Sequence, residues 1–253
     1  MIKALYEAGL SEVFYYGFHV VGYLCVLFFN VWFGKKYGMT PKQSVITTFA
    51  VYSVTYIWIY VQFWIESGFE SFGGNNMVRG FVYIPLIALP MALIFKMKWS
   101  RMCDFVAPCV CISFGVSHIG CVFVGCCHGC ESSFGIYHPY YGTTVFPVQL
   151  FEAATALLIV FLVVYRARRK GFVSDGRSFP LMLIMYGSTR FLWEFLRDNE
   201  KILWRFSSLA FHALFMALVG ACALICLLHK NEHTPSVKTK FKSGGNKNAR
   251  PMH

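Results

Sequence analysis

Seven long apolar runs dominate this sequence, and they constrain its fold more than any other feature does. They cover residues 13–34, 44–64, 80–95, 105–124, 148–165, 179–196 and 207–228. A helix needs about 20 mostly apolar residues to cross the hydrocarbon core of a bilayer. Only 14% of the residues are charged, whereas soluble domains have about 25%. We therefore predict an all-α integral membrane protein with about seven transmembrane helices.

The basic residues predict how the chain is oriented in the membrane. Most of the 23 Lys and Arg residues fall after the first, third and fifth runs and in the tail after the seventh. Cationic loops stay on the cytoplasmic side, so we expect the N-terminus outside and the C-terminus in the cytoplasm. Residues 1–228 then form the seven-helix transmembrane domain, and residues 229–253 a basic, disordered cytoplasmic tail. Because the cations are spread over these loops, the net charge of +11 does not indicate a nucleic-acid partner.

The sixth run contains charged residues, which are costly inside a bilayer and normally face a protein interior or a cavity. Tyr186, Arg190, Glu194 and Arg197 are spaced by four, four and three residues, which places them on one face of a helix. This stripe has two interpretations. Arg190 and Glu194 could form a pair that only holds the helices together, or the two guanidinium groups could bind an anion such as a phosphate.

A second group of polar residues lies in the fourth and fifth runs. Gln149 and Glu152 are three residues apart, as are His118 and Cys121. Glu152 is expected either to neutralise an arginine on a neighbouring helix or to belong to a site.

The fourth run is followed by a cluster that contains Cys126, Cys127, His128 and Cys130. Thiolates and imidazoles are the usual ligands of zinc. However, adjacent cysteines point in different directions, and no second well-spaced Cys-x-x-Cys pair follows. A disulfide is an equally open interpretation on an oxidising face of the membrane. We predict no metal site and no cofactor.

Three stretches carry a resemblance to a known family. The first stretch combines Gly176-Arg177-Ser178-Phe179 with residues 186–197 (YGSTRFLWEFLR), and the second is the segment 146–153 (FPVQLFEA). The third begins at Asp104, continues through Ala107-Pro108 and Ile119-Gly120, and ends with Gly125 and Gly129. With Tyr16-Gly17 in the first run, they resemble the prolipoprotein diacylglyceryl transferases of the bacterial cytoplasmic (inner) membrane. The resemblance covers nearly the whole chain.

The resemblance implies an enzyme that moves the diacylglyceryl group of phosphatidylglycerol to the lipobox cysteine thiol of a prolipoprotein. The partners are then phosphatidylglycerol, prolipoprotein signal peptides and membrane lipids. It implies that Arg190 binds the phosphate, that Glu194 orients Arg190, and that Arg197 draws anionic headgroups to the entrance. His118 is a second headgroup ligand or the base. The implied catalytic set also includes Tyr16, and the implied phospholipid-binding set includes Gly120, Cys121, Gln149 and Glu152.

The chain differs from the family pattern at four positions. His118 replaces an arginine, Cys121 an asparagine, Cys126 a glutamate and Phe146 a histidine. Two alternatives to the standard activity therefore stay open. One is a paralogue that acts on a different lipid or acceptor, and the other is a non-catalytic protein that uses the cluster from Cys126 to Cys130 for metal binding or redox chemistry.

Overall fold

The computed structural model describes residues 2–70, 77–138, 141–200, 203 and 206–232, and almost all of them belong to helices or to short connections. The α-helices are α1 (Ile2–Glu7), α2 (Ser11–Lys36), α3 (Pro41–Glu66), α4 (Ile84–Ile94), α5 (Trp99–Val124), α6 (Val148–Arg169), α7 (Ser178–Glu194) and α8 (Ser208–Glu232). Two 3-10 turns, Met77–Arg79 and Phe81–Tyr83, precede α4. Strands β1 (Glu131–His138) and β2 (Thr143–Val145) form an antiparallel hairpin between α5 and α6.

The prediction of a helical membrane protein is confirmed, and each of the seven apolar runs overlaps one of the helices α2 to α8. Within the described ranges, α2, α3, α5, α6 and α8 are long and apolar enough to cross a membrane. Helix α4 has 11 residues and α7 has 17, which makes both shorter than a full crossing. Helix α8 continues past the predicted domain boundary at residue 228, and the remainder of the predicted tail, 233–253, lies outside the described residues.

Helix α5 is the centre of the bundle. It packs against α2, α4, α6 and α7, while α8 covers the other side of α7. The contact between α2 and α5 is very close at Gly120, where an added Cβ would lie 2.9 Å from the Cβ of Phe18 and 3.0 Å from the carbonyl oxygen of Tyr15. A larger residue here would push α2 away from α5, and α2 carries part of the cavity wall described below.

The cationic connections come together at one end of the bundle. Asp104, near the start of α5, accepts hydrogen bonds from the backbone N–H groups of Gly176 at 2.9 Å and Ser178 at 2.8 Å. It also accepts one from the Ser174 hydroxyl at 2.7 Å. These bonds join the connection between α6 and α7 to the start of α5, and they satisfy donors at the first turn of α7 that have no partner within that helix.

Replacing Asp104 with alanine is expected to lower the free energy of unfolding by about 2–4 kcal/mol, because it strands several buried donors. Thermal unfolding of the detergent-solubilised protein, followed by tryptophan fluorescence, measures the loss. Glu70→Ala removes an exposed carboxylate and serves as the matched control, expected within about 0.5 kcal/mol of the parent. Equal melting temperatures for the two variants would contradict this role of Asp104.

Candidate active site

The carboxylate of Glu152, in the second turn of α6, is the centre of a buried cluster at the end of the bundle opposite the cationic connections. Its Oε1 atom lies 2.9 Å from Nη1 of Arg190 on α7. Its Oε2 atom lies 2.9 Å from Nδ1 of His118 on α5 and 2.7 Å from Nη2 of Arg197. One side chain thus joins α5, α6 and α7.

A second carboxylate, that of Glu194, completes the charge balance of the cluster. Its Oε2 atom lies 2.6 Å from Nη1 of Arg190, one helical turn earlier. Its Oε1 atom accepts hydrogen bonds from the Asn199 amide and the Ser207 hydroxyl, each at 2.5 Å. Arg190, Arg197, Glu152 and Glu194 are each at most 3% exposed. Two buried cations are therefore matched by two buried carboxylates, as burial of charge requires.

The cluster borders a cavity of about 270 Å³ whose wall includes Arg190, Arg197 and His118. Neither Glu152 nor Glu194 lines this cavity; both lie behind the cationic side chains. Further polar groups on the wall come from α2 and α5, namely Tyr15, His19, Ser113, Ser117 and Cys121. The wall is therefore rich in side chains that carry N–H, O–H and S–H groups, a composition suited to an anionic ligand.

A tight turn after α5 shapes one side of the cavity. Gly125 ends the helix with φ +72°, and Cys127 also has a positive φ, +62°, which is uncommon for a residue with a side chain. His138 contacts the Gly125 carbonyl oxygen through Nε2 at 2.6 Å, and Gln149 donates to the Cys126 carbonyl at 2.9 Å. These contacts hold the turn in a conformation in which Cys126 and Cys127 line the cavity beside Cys121.

Arg197 is positioned by backbone pairing after the end of α7. Gly129 forms an antiparallel bridge with Arg197, and the N–H of Cys130 donates to the Leu196 carbonyl at 2.9 Å. An added Cβ at Gly129 would lie only 2.7 Å from that carbonyl oxygen and 2.6 Å from the Phe146 oxygen. Glycine is therefore required at residue 129 for the close approach that places Arg197 against Glu152.

Eight of the residues singled out in the sequence are brought together here: His118, Cys121, Cys126, Cys127, Glu152, Arg190, Glu194 and Arg197. The two interpretations of the α7 stripe turn out to be compatible, because Arg190 pairs with Glu194 and also borders the cavity. Arg197 is 3% exposed and bound to Glu152 within the cluster, and it also lines the cavity; its expected role at the entrance stays a prediction.

Three other predicted residues lie away from the cavity wall. Tyr16 is 63% exposed on the outer side of α2, and the preceding Tyr15 lines the cavity instead. Successive helical residues point about 100° apart, so a shift of one position changes the face. Gly120 makes the contact between α2 and α5, and Gln149 holds the turn through the Cys126 carbonyl.

Sequence reasoning missed the contribution of the first apolar run. Helix α2 supplies Tyr15 and His19 to the wall, whereas the one candidate site residue taken from this run was Tyr16. Helix α6 contributes Glu152 from behind the wall. A usable signal was present, since Tyr15 and His19 are spaced by four residues in an apolar run, as are Ser113 and Ser117 in α5.

The family model and the curated relatives that match this chain are all described as prolipoprotein diacylglyceryl transferases. The family model described as prolipoprotein diacylglyceryl transferase matches residues 4–226. A phosphatidylglycerol–prolipoprotein diacylglyceryl transferase of Clostridium tetani is 30% identical over 160 residues, which is 58% of this chain and 64% of the relative. Transferase 2 of Clostridium perfringens is 29% identical over 143 residues, 53% of this chain and 54% of the relative. The match to the Nitrosomonas europaea transferase has 28% identity over 133 residues and covers 51% of this chain and 47% of the relative. The chain thus spans about half to two thirds of the length of these curated relatives.

Proposed function

Because the chain belongs to the prolipoprotein diacylglyceryl transferase family, we propose that it transfers the diacylglyceryl group of phosphatidylglycerol to the cysteine thiol of a prolipoprotein lipobox. The observation that supports this most directly is the position of Arg190 and Arg197 on the wall of one cavity, with their carboxylate partners behind them. Guanidinium groups in that position suit a phosphate diester, whose charge they match in a forked geometry.

The reaction requires stabilisation of a leaving phosphate. The acceptor sulfur, as thiolate, attacks a glycerol carbon; an S–C bond forms, the C–O bond to phosphate breaks, and its electron pair leaves on the oxygen of glycerol phosphate. The phosphate gains negative charge as it leaves. Donors that are already fixed in the cavity wall stabilise that charge without reorganisation, and Glu152 and Glu194 fix Arg190 from two sides.

His118 is the group on the wall that connects the phosphate site to proton transfer. Its Nδ1 atom lies 2.9 Å from the Glu152 carboxylate, and a proton held on this nitrogen leaves the Nε2 lone pair free. An imidazole in this tautomer can accept a proton from the thiol of the acceptor. The ring lies against Phe114, with 3.9 Å between the ring centroids, which restricts its orientation.

The proposal also covers orientation and location. We infer seven crossings, with α4 and α7 as short spans, in the cytoplasmic membrane of a bacterium with the N-terminus outside. Lys35 and Lys36 end α2, Arg166 to Arg169 end α6, and the start of α5 contacts the connection before α7. These cations share one end of the bundle, which the positive-inside rule assigns to the cytoplasm. The cavity then opens toward the outer leaflet, on the side where secreted precursors emerge.

A transfer assay tests this function. The purified protein, reconstituted with phosphatidylglycerol, should add a diacylglyceryl mass to a lipobox peptide and release glycerol phosphate, both detected by mass spectrometry. A peptide with serine in place of the lipobox cysteine is the matched control and should stay unmodified. Transfer from another phospholipid but not from phosphatidylglycerol would identify a paralogue with a different donor. No transfer from any of these lipids would refute the proposal.

A further inference from the structure

A set of three metal-ligating side chains lies on the wall of the cavity beside the ion-pair cluster, with which it shares His118. A ring nitrogen of His118 and the Sγ atoms of Cys121 and Cys127 all lie within 4.8 Å of one another. Two of these residues are three positions apart on α5, and the third comes from the turn after that helix. The sequence cluster from Cys126 to Cys130 contains only one of the three.

The contacts of His118 suit a metal ligand. Its Nδ1 atom is 2.9 Å from the Glu152 carboxylate, and in the tautomer with the proton on Nδ1 the Nε2 atom offers its lone pair to a metal. Histidines that bind metals usually donate their other ring N–H to a carboxylate or a carbonyl, which fixes the tautomer and makes the ligand more basic. Glu152, bound by two arginines at the same time, is held rigidly for this purpose.

The turn that presents Cys127 is held in an unusual conformation. Cys127 has φ +62°, a left-handed conformation that residues with a Cβ rarely adopt. Such outliers persist where the surroundings enforce them and are concentrated at functional sites. The bonds from His138 to Gly125 and from Gln149 to Cys126 enforce this one. The Cys126 thiol, by contrast, points at the Cys121 carbonyl oxygen at 3.9 Å.

The ligand types select the ion. Two thiolates and one imidazole are typical of zinc, and three protein ligands with an open fourth position are typical of a catalytic rather than a structural site. Around a zinc ion with bonds of about 2.3 Å, tetrahedral ligands are separated by about 3.8 Å. The present separations therefore need only a contraction of about 1 Å on binding. Two thiolates also neutralise the ion, so it adds no net charge beside Arg190 and Arg197.

We propose that His118, Cys121 and Cys127 bind a zinc ion whose fourth coordination position opens into the cavity. The occupant of this position follows from the proposed function, on which this step rests: it is the thiol of the acceptor peptide. With zinc bound, the Nε2 lone pair of His118 is used by the metal, so His118 does not act as the base in this form. The acceptor then loses its S–H proton to water in the cavity and is held as a zinc-bound thiolate, because a coordinating thiol is deprotonated. The zinc would supply the activated nucleophile opposite the arginines that receive the phosphate.

The metal content of the purified protein tests the site. Protein purified in mild detergent without chelators should contain about one zinc per chain by mass spectrometry of the elements. Cys121→Ser, Cys127→Ser and His118→Ala should each lower this at least about tenfold, since removal of one of three ligands leaves an incomplete site. Cys130→Ser, in the same segment but with an exposed thiol, is the matched control and should keep its zinc. Equal zinc in the parent and the three variants would overturn the proposal, as would a Cys121–Cys127 disulfide found in the unreduced, metal-free parent.

A second measurement requires no variant and separates the two proposals. The parent protein loaded with cobalt(II) should show thiolate-to-cobalt absorption bands, and addition of a lipobox peptide should change them, whereas the peptide with serine in place of cysteine should not. Absence of the bands would overturn the zinc site. Unchanged bands with the cysteine peptide would overturn the role of the fourth position. A protein that binds zinc but transfers no lipid refutes the transferase alone, and one that transfers lipid without any metal refutes the zinc site alone.

Discussion

Replacing Arg190 with alanine is expected to reduce the rate of diacylglyceryl transfer by roughly a hundred- to a thousand-fold, the usual effect of removing a fixed donor from a site where charge develops. Arg190 is 2% exposed, borders the cavity and is fixed by Glu152 and Glu194. Its loss removes a cation that contacts both carboxylates, as well as a phosphate donor. The initial rate of peptide lipidation, measured over a range of phosphatidylglycerol concentrations, gives the effect on kcat and on KM.

Two further variants define the origin of this effect. Arg190→Lys keeps the charge but not the forked geometry, so we expect an intermediate rate, because a single ammonium cannot hold a phosphate and two carboxylates together. Arg168→Ala is the matched control, since Arg168 lies over the Trp32 ring near the end of α6, far from the cavity. Transfer by Arg190→Ala at a rate similar to that of Arg168→Ala would show that the guanidinium of Arg190 serves the structure only.

Replacing Glu152 with glutamine is expected to abolish transfer and to destabilise the fold by about 3–5 kcal/mol, the usual cost of leaving buried charges uncompensated. The carboxylate is 2% exposed and contacts His118, Arg190 and Arg197. A neutral amide of the same size would leave the two guanidinium groups with Glu194 as the one carboxylate in the cluster. Their mutual repulsion would then displace Arg197, which hydrogen-bonds Glu152 through both Nε and Nη2.

Thermal unfolding in detergent and the transfer assay measure the two effects of Glu152→Gln separately. Glu131→Gln is the matched control, because Glu131 is exposed on β1 and accepts a hydrogen bond from Thr143; we expect about 0.5 kcal/mol or less. Glu152→Asp keeps the charge and should recover part of the stability. If Glu152→Gln were as stable as Glu131→Gln, the cluster would not depend on this carboxylate for its charge balance.

The positions of the apolar helices along the chain could be predicted because apolar residues that continue for about 20 positions have few structures open to them other than a membrane helix. Helix α5 ends at Val124, where the predicted run 105–124 also ends. It begins at Trp99, six residues before the start of that run. The polar stripe on α7 could be predicted as well. Four ionisable or hydroxyl residues at helical spacing in an apolar run must face one direction, and that direction must be the protein interior.

The residues that line the cavity were harder to predict, because membrane helices are apolar on the lipid side as well as on the protein side. Tyr15 and Tyr16 look alike in the sequence, yet one lines the cavity and the other is 63% exposed. Hydrophobic periodicity gives no rotational phase for such a helix. The close packing of α2 on Gly120 fixes that phase, and it involves a residue 105 positions after Tyr15.

The sequence alone therefore determined the class of protein and the side chains that have to be buried with charge, since both follow from local composition and spacing. Its motifs carried the resemblance to the family. Only the tertiary structure decided how those side chains are combined. Glu152 meets His118, Arg190 and Arg197 because three helices converge, and Cys127 joins Cys121 and His118 because two backbone positions after α5 have positive φ. These contacts depend on helix rotation and on the geometry of one turn, and neither is encoded in the hydrophobic pattern of any single segment.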